Sequence, residues 1–125
     1  PCIGCTRCLN GIMFGKRVAC SINPSFELEN EDNIPEAEIK KNVLVIGGGV
    51  AGLQAAYVLK KRGHHVVLCE ASNKLGGQVN IAAVPIAKQE LTKVVKYLKT
   101  RLLKKNQNKI YKLNNIVDEI TRVSY

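Results

Sequence analysis

The residues with the most distinctive chemistry stand at the start of the sequence. Cys2, Cys5 and Cys8 are spaced C-x2-C-x2-C, and Cys20 follows after eleven further residues. Three thiolates in a tight loop plus one remote thiolate can occupy the four corners of a cubane, so the pattern suits a 4Fe–4S cluster. Gly4 and Gly11 would ease the close wrapping such a loop needs. Structural zinc is the alternative, although it favours two separated Cys pairs over a triplet and a singleton. Redox-active or disulfide-bonded cysteines are a third reading; with no secretory signal opening the sequence, a disulfide framework is the less expected use of these thiols. Cys69 lies in an apolar run and is expected to be a small buried hydrophobe. His64 and His65 have no matching ligand partner and read as a connecting turn. No Ser-His-Asp set and no carboxylate pair for acid–base work is present.

The second motif is a glycine turn. Ile46 leads into Gly47-Gly48-Gly49-Val50-Ala51-Gly52, which matches G-x-G-x-x-G. A lone match is weak. This one follows an apolar run, opens a helical pattern, and is followed by Glu70, 23 positions after Gly47, which is the context that makes the pattern specific for a dinucleotide. Gly47 would permit the tight turn, Gly49 would let backbone approach a pyrophosphate, and Gly52 would let helix and strand pack closely. Val50 and Ala51 open the helix whose unpaired N–H groups and positive dipole end would face the anion. Glu70 would accept hydrogen bonds from an adenosine ribose, and its charge would oppose a 2′-phosphate. Lys74, Gly76, Gly77 and Gln78 follow, and the glycine pair could let the chain pass close to a bound nucleotide.

The elements that must position these groups can be read from periodicity. Val43–Ile46 is a continuous apolar run and predicts a buried parallel strand. Val50–Arg62 predicts a helix with Leu53, Ala56, Tyr57 and the Lys60 stem on its inner face and Gly63 as its stop. Val66–Cys69 predicts a second buried strand, and residues 71–87 read as loop. Leu91, Val94, Val95, Leu98 and Leu102 recur at helical intervals, with Lys93, Lys96, Arg101 and Lys104 on the other side. Ile110–Leu113 is a third strand. The order β-α-β-α-β is half of a doubly wound, Rossmann-like parallel sheet of the α/β class. Three segments result: a cluster-binding segment 1–23, an acidic linker 24–41 with Pro24 and Pro35, and a partial FAD-binding domain 42–125.

A chain of 125 residues, 46% hydrophobic and 23% charged, has material for one core, which excludes wholesale disorder. No apolar run approaches a membrane span, and a cytoplasmic location without membrane partners is expected. The net charge of +9 is unevenly spread: acidic residues gather between Glu27 and Glu38, basic ones between Lys88 and Lys112. With no aromatic residues interleaved among the basic ones, a solvated helix face or a surface for an acidic neighbour is expected rather than nucleic acid.

Taken together, Pro1-Cys2-Ile3-Gly4-Cys5-Thr6-Arg7-Cys8-Leu9, then Cys20, Asn23-Pro24 and VLVIGGGVAGLQAA, resemble the bacterial NADH:flavin oxidoreductases that contain an Old-yellow-enzyme-type barrel. That group includes 2-enoate reductase, 2,4-dienoyl-CoA reductase and trimethylamine dehydrogenase, and Leu75–Ala82 is most similar to the reductases. The resemblance implies a barrel with FMN and the substrate site, a 4Fe–4S cluster on Cys2, Cys5, Cys8 and Cys20, and an FAD domain interrupted by an NAD(P)H domain. Gly47, Gly49, Gly52, Glu70, Gly77 and Gln78 would line the ADP side of the flavin; in the trimethylamine-type member only ADP is held there. Electrons would run from NAD(P)H through FAD and the cluster to FMN and then to an activated carbon–carbon double bond of an enoate or dienoyl-CoA. The barrel, the FMN site and the nicotinamide domain lie outside these 125 residues, so the expectation is an electron-transfer portion, inactive and self-associating by itself, whose partners are those missing domains. The different-class alternative is a zinc-stabilised binding module with a basic docking helix.

Overall fold

A computed structural model describes residues 1–26, 34–103 and 110–112. The elements are α1 (Arg7–Met13), β1 (Asn42–Ile46), α2 (Val50–Lys61), β2 (His65–Glu70), α3 (Gln78–Ala82), a 3-10 helix over Ile86–Leu91, α4 (Thr92–Leu103) and β3 (Ile110–Lys112). The three strands form one parallel sheet in the order β1-β2-β3, with Asn42 opposite His65, Ile46 opposite Cys69 and Leu68 opposite Ile110. Parallel neighbours joined by helices are the Rossmann-like α/β arrangement.

The core is set by two apolar helix stripes. Leu53, Ala56 and Tyr57 of α2 and Val94, Leu98 and Leu102 of α4 recur three or four residues apart and meet over Val66 and Leu68 of β2. Gly63 ends α2 in the left-handed region (φ 85°). Its N–H donates to the Lys60 carbonyl, and that of His64 to the Leu59 carbonyl, which is the paired C-terminal closure glycine makes possible. The half-buried Lys60 extends along this interface and its Nζ donates to the Leu102 carbonyl at 2.7 Å, joining the end of α2 to that of α4. Cys69 is fully buried. His64 does lie in the turn before β2, where its Nδ1 accepts the Lys41 N–H at 3.1 Å; His65 already belongs to the strand.

Three readings need correction. β1 is not buried on both faces: Leu44 and Ile46 are 43% and 72% exposed, because α2 and α4 pack together on one side and nothing among the described residues covers the other. Residues 71–87 are not simply loop, since they hold α3 and the start of the 3-10 helix. Five- and six-residue helices are too short to show a 3.6-residue period, and here they hold no buried residue. The cysteine segment also contains a helix, α1, that no periodic pattern announced. Of the linker, Glu27, Glu29, Glu31 and Asp32 fall outside the described residues, as do Lys104 and everything after Lys112.

The cysteine segment is attached to the α/β core by a side chain. Ile22 is 6% exposed within the same cluster as Leu53 and Leu98, with Ile3 and Cys20 packed against it, and burying an isoleucine contributes roughly 1.5–3 kcal/mol.

Candidate functional site

At the end of β1 the chain must reverse toward α2, and Gly47 does so at φ 100°, a conformation that favours glycine. Its N–H donates to the Cys69 carbonyl at 2.7 Å, so strand pairing continues into the turn. Gly48 donates its N–H to Glu70 Oε2 at 2.6 Å, and Ser72 donates its N–H to Glu70 Oε1 at 2.8 Å. One carboxylate thus joins the glycine turn to the segment after β2. Gly76 donates to the Gly48 carbonyl at 2.8 Å and pairs with Gly49 in a parallel bridge, which lays Gly76-Gly77 beside the turn. Gly49 caps α2, whose first turn has neither a side-chain cap nor an acidic residue. A Cβ on Gly47 or Gly49 would meet nothing within 4 Å. The result is a strip of bare backbone against a helix N-terminus, the form of an anion cradle.

Gly52 and Gly48 are glycines for a different reason. A Cβ on Gly52 would overlap the Gly47 carbonyl oxygen, and one on Gly48 would come within 3.0 Å of Glu70 Oε2 and 3.1 Å of Glu70 Cβ. Gly48 was not among the expected site residues, although the unbroken glycine triplet was a signal for it. Asn80 was missed as well; its Nδ2 donates to the Leu75 carbonyl at 2.9 Å and holds the bend before α3. Gln78 opens α3 as an exposed residue next to Gly77. At Glu70 lies a cavity of about 630 Å³, lined also by Ser72, Lys74, Asn80, Lys96 and Lys99, within the range that small-molecule ligands occupy. Lys96 and Lys99 of α4 are exposed at this cavity, as the sequence reading of a solvated face or a surface for an acidic neighbour expects.

Hydrogen bonds from the Ser72 and Gly48 N–H groups hold the Glu70 carboxyl below its ordinary value of 4.5. A depressed carboxylate contributes stability above its unfolded-state value and loses that contribution as the pH falls through the folded-state value. Glu70→Gln is therefore expected to flatten the acid limb: below about pH 4.5 the parent should lose stability more steeply than the variant. Parallel limbs in urea titrations across that range would show that the two N–H bonds carry no linkage.

The second candidate site is the cysteine segment. Thr6 sits between Cys5 and Cys8 at φ 55°, a strained choice for a β-branched residue, and its carbonyl accepts the Asn10 N–H that starts α1. A Cβ on Gly11 would come within 2.9 Å of the Arg17 carbonyl oxygen and 3.1 Å of Val18 Cα; this close packing of α1 on the returning chain brings Cys20 back toward the triplet. The Gly4 N–H lies 3.3 Å from Cys2 Sγ and the Asn23 N–H 3.4 Å from Cys20 Sγ. The Ser21 hydroxyl, and then the Arg7 backbone N–H, hold the Cys5 thiol below its usual range. Cys2, Cys5, Cys8 and Cys20 all line one cavity of about 350 Å³, with Ile22 and Tyr97 in its wall. Among the described residues, no group of three or more His, Cys, Asp or Glu side chains is placed so that it could hold a metal ion. Among them, too, no helix is long and apolar enough to cross a membrane.

A parallel β-α-β unit with a bare glycine turn, an uncapped helix N-terminus and an acidic residue closing the second strand is a dinucleotide-binding fold. Residues 42–122 match the FAD dependent oxidoreductase family, and the chain belongs to that family. Over 98 residues it is 44% identical to a bilirubin reductase of Mediterraneibacter gnavus and covers 78% of this chain and 15% of that protein. A cinnamate reductase of Clostridium sporogenes is 39% identical over 98 residues, with the same coverage of both chains. Among solved structures, histamine dehydrogenase from Rhizobium sp. 4-9 superposes with a TM-score of 0.78 at 31% identity, over 89% of this chain and 17% of that one. The chain therefore spans about one sixth of the length of the proteins it matches.

Proposed function

We propose that these residues form the electron-transfer portion of a larger NAD(P)H-dependent reductase, holding the ADP half of FAD on the glycine turn and a 4Fe–4S cluster on Cys2, Cys5, Cys8 and Cys20. The observation that carries the proposal is the position of α4. Its Tyr97 forms part of the cysteine cavity, while Lys96 and Lys99 line the cavity beside Glu70. One helix thus lines both cavities.

The residues present fit both groups. Gly49, Val50, Ala51 and Gly52 supply backbone N–H groups at the helix start for a diphosphate. Glu70 has about four lone-pair positions and gives one on each oxygen to Gly48 and Ser72, which leaves acceptors for ribose hydroxyls. Gly77 and Gln78 flank the same surface. A cubane takes one thiolate per corner, which matches four cysteines around one cavity better than it matches ligands converging on one ion. When bound, FAD would take a hydride's electron pair and release it one electron at a time, and a cluster would carry those single electrons onward.

The parent reaction we favour is reduction of an enoate or dienoyl-CoA at an FMN site on a barrel domain, with NAD(P)H as donor, in keeping with the likeness to a cinnamate reductase. The likeness to histamine dehydrogenase favours a second reading, an amine dehydrogenase of the trimethylamine type with ADP in place of FAD. Extraction of the nucleotide from the native protein distinguishes the two.

Iron, acid-labile sulfide and zinc are to be measured after anaerobic reconstitution. About four irons and four sulfides per chain are expected, with a broad visible absorption bleached by reductant. One zinc per chain without iron uptake would overturn the cluster and support the zinc-stabilised docking module instead.

The covering partners we assign to the exposed apolar surface are the barrel and nicotinamide domains. Leu44 and Ile46 on β1, Ile81 on α3 and Ile86 beyond it are all exposed, apolar surface that neighbouring domains would cover. The 125 residues alone are expected to self-associate, and sedimentation velocity showing a monomer at every concentration would count against this assignment.

A further inference from the structure

We propose that Arg101 is a positioning residue for the cysteine-held centre: it fixes Tyr97 as a wall of the cysteine cavity and sets a permanent positive charge behind it, so that the centre accepts an electron more readily. The inference rests on the cluster reading above and goes beyond it, since neither the cysteine spacing nor the glycine turn involves this residue.

Arg101 lies in the last turn of α4 and reaches two hydroxyls at once. Its Nη1 donates to Tyr97 Oη at 2.7 Å and its Nη2 to Tyr57 Oη at 2.5 Å. The guanidinium carbon also stands 4.1 Å from the Tyr57 ring centroid and 5.1 Å from that of Tyr97, inside the range of cation–π attraction. Tyr57 is 8% exposed in the core of α2, so it anchors the guanidinium, and the guanidinium in turn fixes the ring of Tyr97. Tyr97 lines the same cavity as all four cysteines.

The charge balance points the same way. The guanidinium carries a positive charge, and among the described residues no carboxylate pairs with it. A half-buried cation whose partners among the described residues are neutral hydroxyls and ring faces is costly unless negative charge lies nearby. Four thiolates around the cavity would supply that charge. Adding an electron makes the centre more negative, and a fixed cation behind one wall favours that form. Charge and hydrogen bonding around a cluster are among the quantities that set its potential.

The test uses the intact protein, reconstituted anaerobically with iron and sulfide, in three variants: Arg101→Gln, Arg101→Lys and Tyr97→Phe. Iron and sulfide are counted first, and the midpoint potential is then taken by spectroelectrochemical titration. Arg101→Gln, with iron content at the parent level, is expected to shift the oxidised-to-reduced ratio at the parent midpoint about tenfold toward the oxidised form, ~59 mV for one electron. Arg101→Lys keeps the charge and should recover most of that shift, which a merely structural role would not produce. An unmoved midpoint in iron-loaded Arg101→Gln overturns the proposal, as does an equal shift in Arg101→Lys. If Arg101→Gln does not load iron, Tyr97→Phe decides: it keeps the ring but removes the hydroxyl that ties Nη1 to the cavity wall, while Tyr57 still holds the guanidinium, and it should move the midpoint in the same direction by less than Arg101→Gln, whereas no movement overturns the proposal. A parent protein that takes up no iron overturns the cluster reading itself, a result distinct from iron-loaded variants with unchanged potentials.

Discussion

Gly52→Ala is expected to cost about 3 kcal/mol of unfolding free energy, because among the described glycines its added methyl meets the closest obstacle. The Cβ would overlap the Gly47 carbonyl oxygen and stand 3.1 Å from the Gly47 carbonyl carbon. Both obstacles are backbone, so no rotamer change relieves them. The turn cannot retreat either, because the Gly47 N–H is bonded to the Cys69 carbonyl and Gly48 is bonded through both its N–H and its carbonyl. Relief requires α2 to withdraw from β1, which would open the contact of Leu53 and Ala56, both fully buried, with the rest of the core. Since the whole stability of a domain is about 5–15 kcal/mol, a loss of this size should appear as poor yield and a lowered urea midpoint. Alanine at Gly52 with a midpoint unchanged from the parent would mean that helix and strand are not in contact at that position.

The contrast between Gly52 and its neighbours shows how far local sequence could carry the reading. The β1-α2-β2 unit was legible because each boundary is marked chemically: an apolar run ends in three glycines, Leu53, Ala56 and Tyr57 fall on one helical face, and Gly63 stops the helix. Glu70 was legible by distance along the chain from Gly47. The exposure of Leu44 and Ile46 was not. Their types are those of a strand covered on both faces, and burial depends on what lies against the strand, which a strand's own residues do not specify. α1 was hidden because seven residues with Gly11 in their midst and Thr6 in the left-handed region show no propensity signal. Arg101 was hidden for a third reason. It reads as one more cation on a basic face, and its meaning comes from Tyr57, which is 44 residues away in sequence. Long-range pairing of this kind leaves no periodic trace.

Gly49→Val should leave the fold standing and remove the nucleotide. Gly49 has φ −71° and ψ −178°, an extended conformation that a β-branched residue adopts without strain, and a Cβ there would meet nothing within 4 Å. The added methyls would instead project from the strip of backbone formed by Gly49 and Gly77, whose own Cβ position lies 3.4 Å from Gly49 Cα. That is the surface a diphosphate must touch to reach the N–H groups of Val50, Ala51 and Gly52. Holding the anion away from the helix end forfeits both the hydrogen bonds and the dipole. A loss of about 100-fold in affinity for FAD or ADP is expected, about 2.8 kcal/mol at 1.4 kcal/mol per tenfold. Calorimetric titration of the intact protein measures it, with the urea midpoint and iron content as controls. Both controls should stay at the parent level, because the cysteine cavity shares no residue with the turn. Equal affinity in variant and parent would remove Gly49 from the binding surface. A fall in iron content along with affinity would mean that the two sites are coupled through the turn rather than through α4.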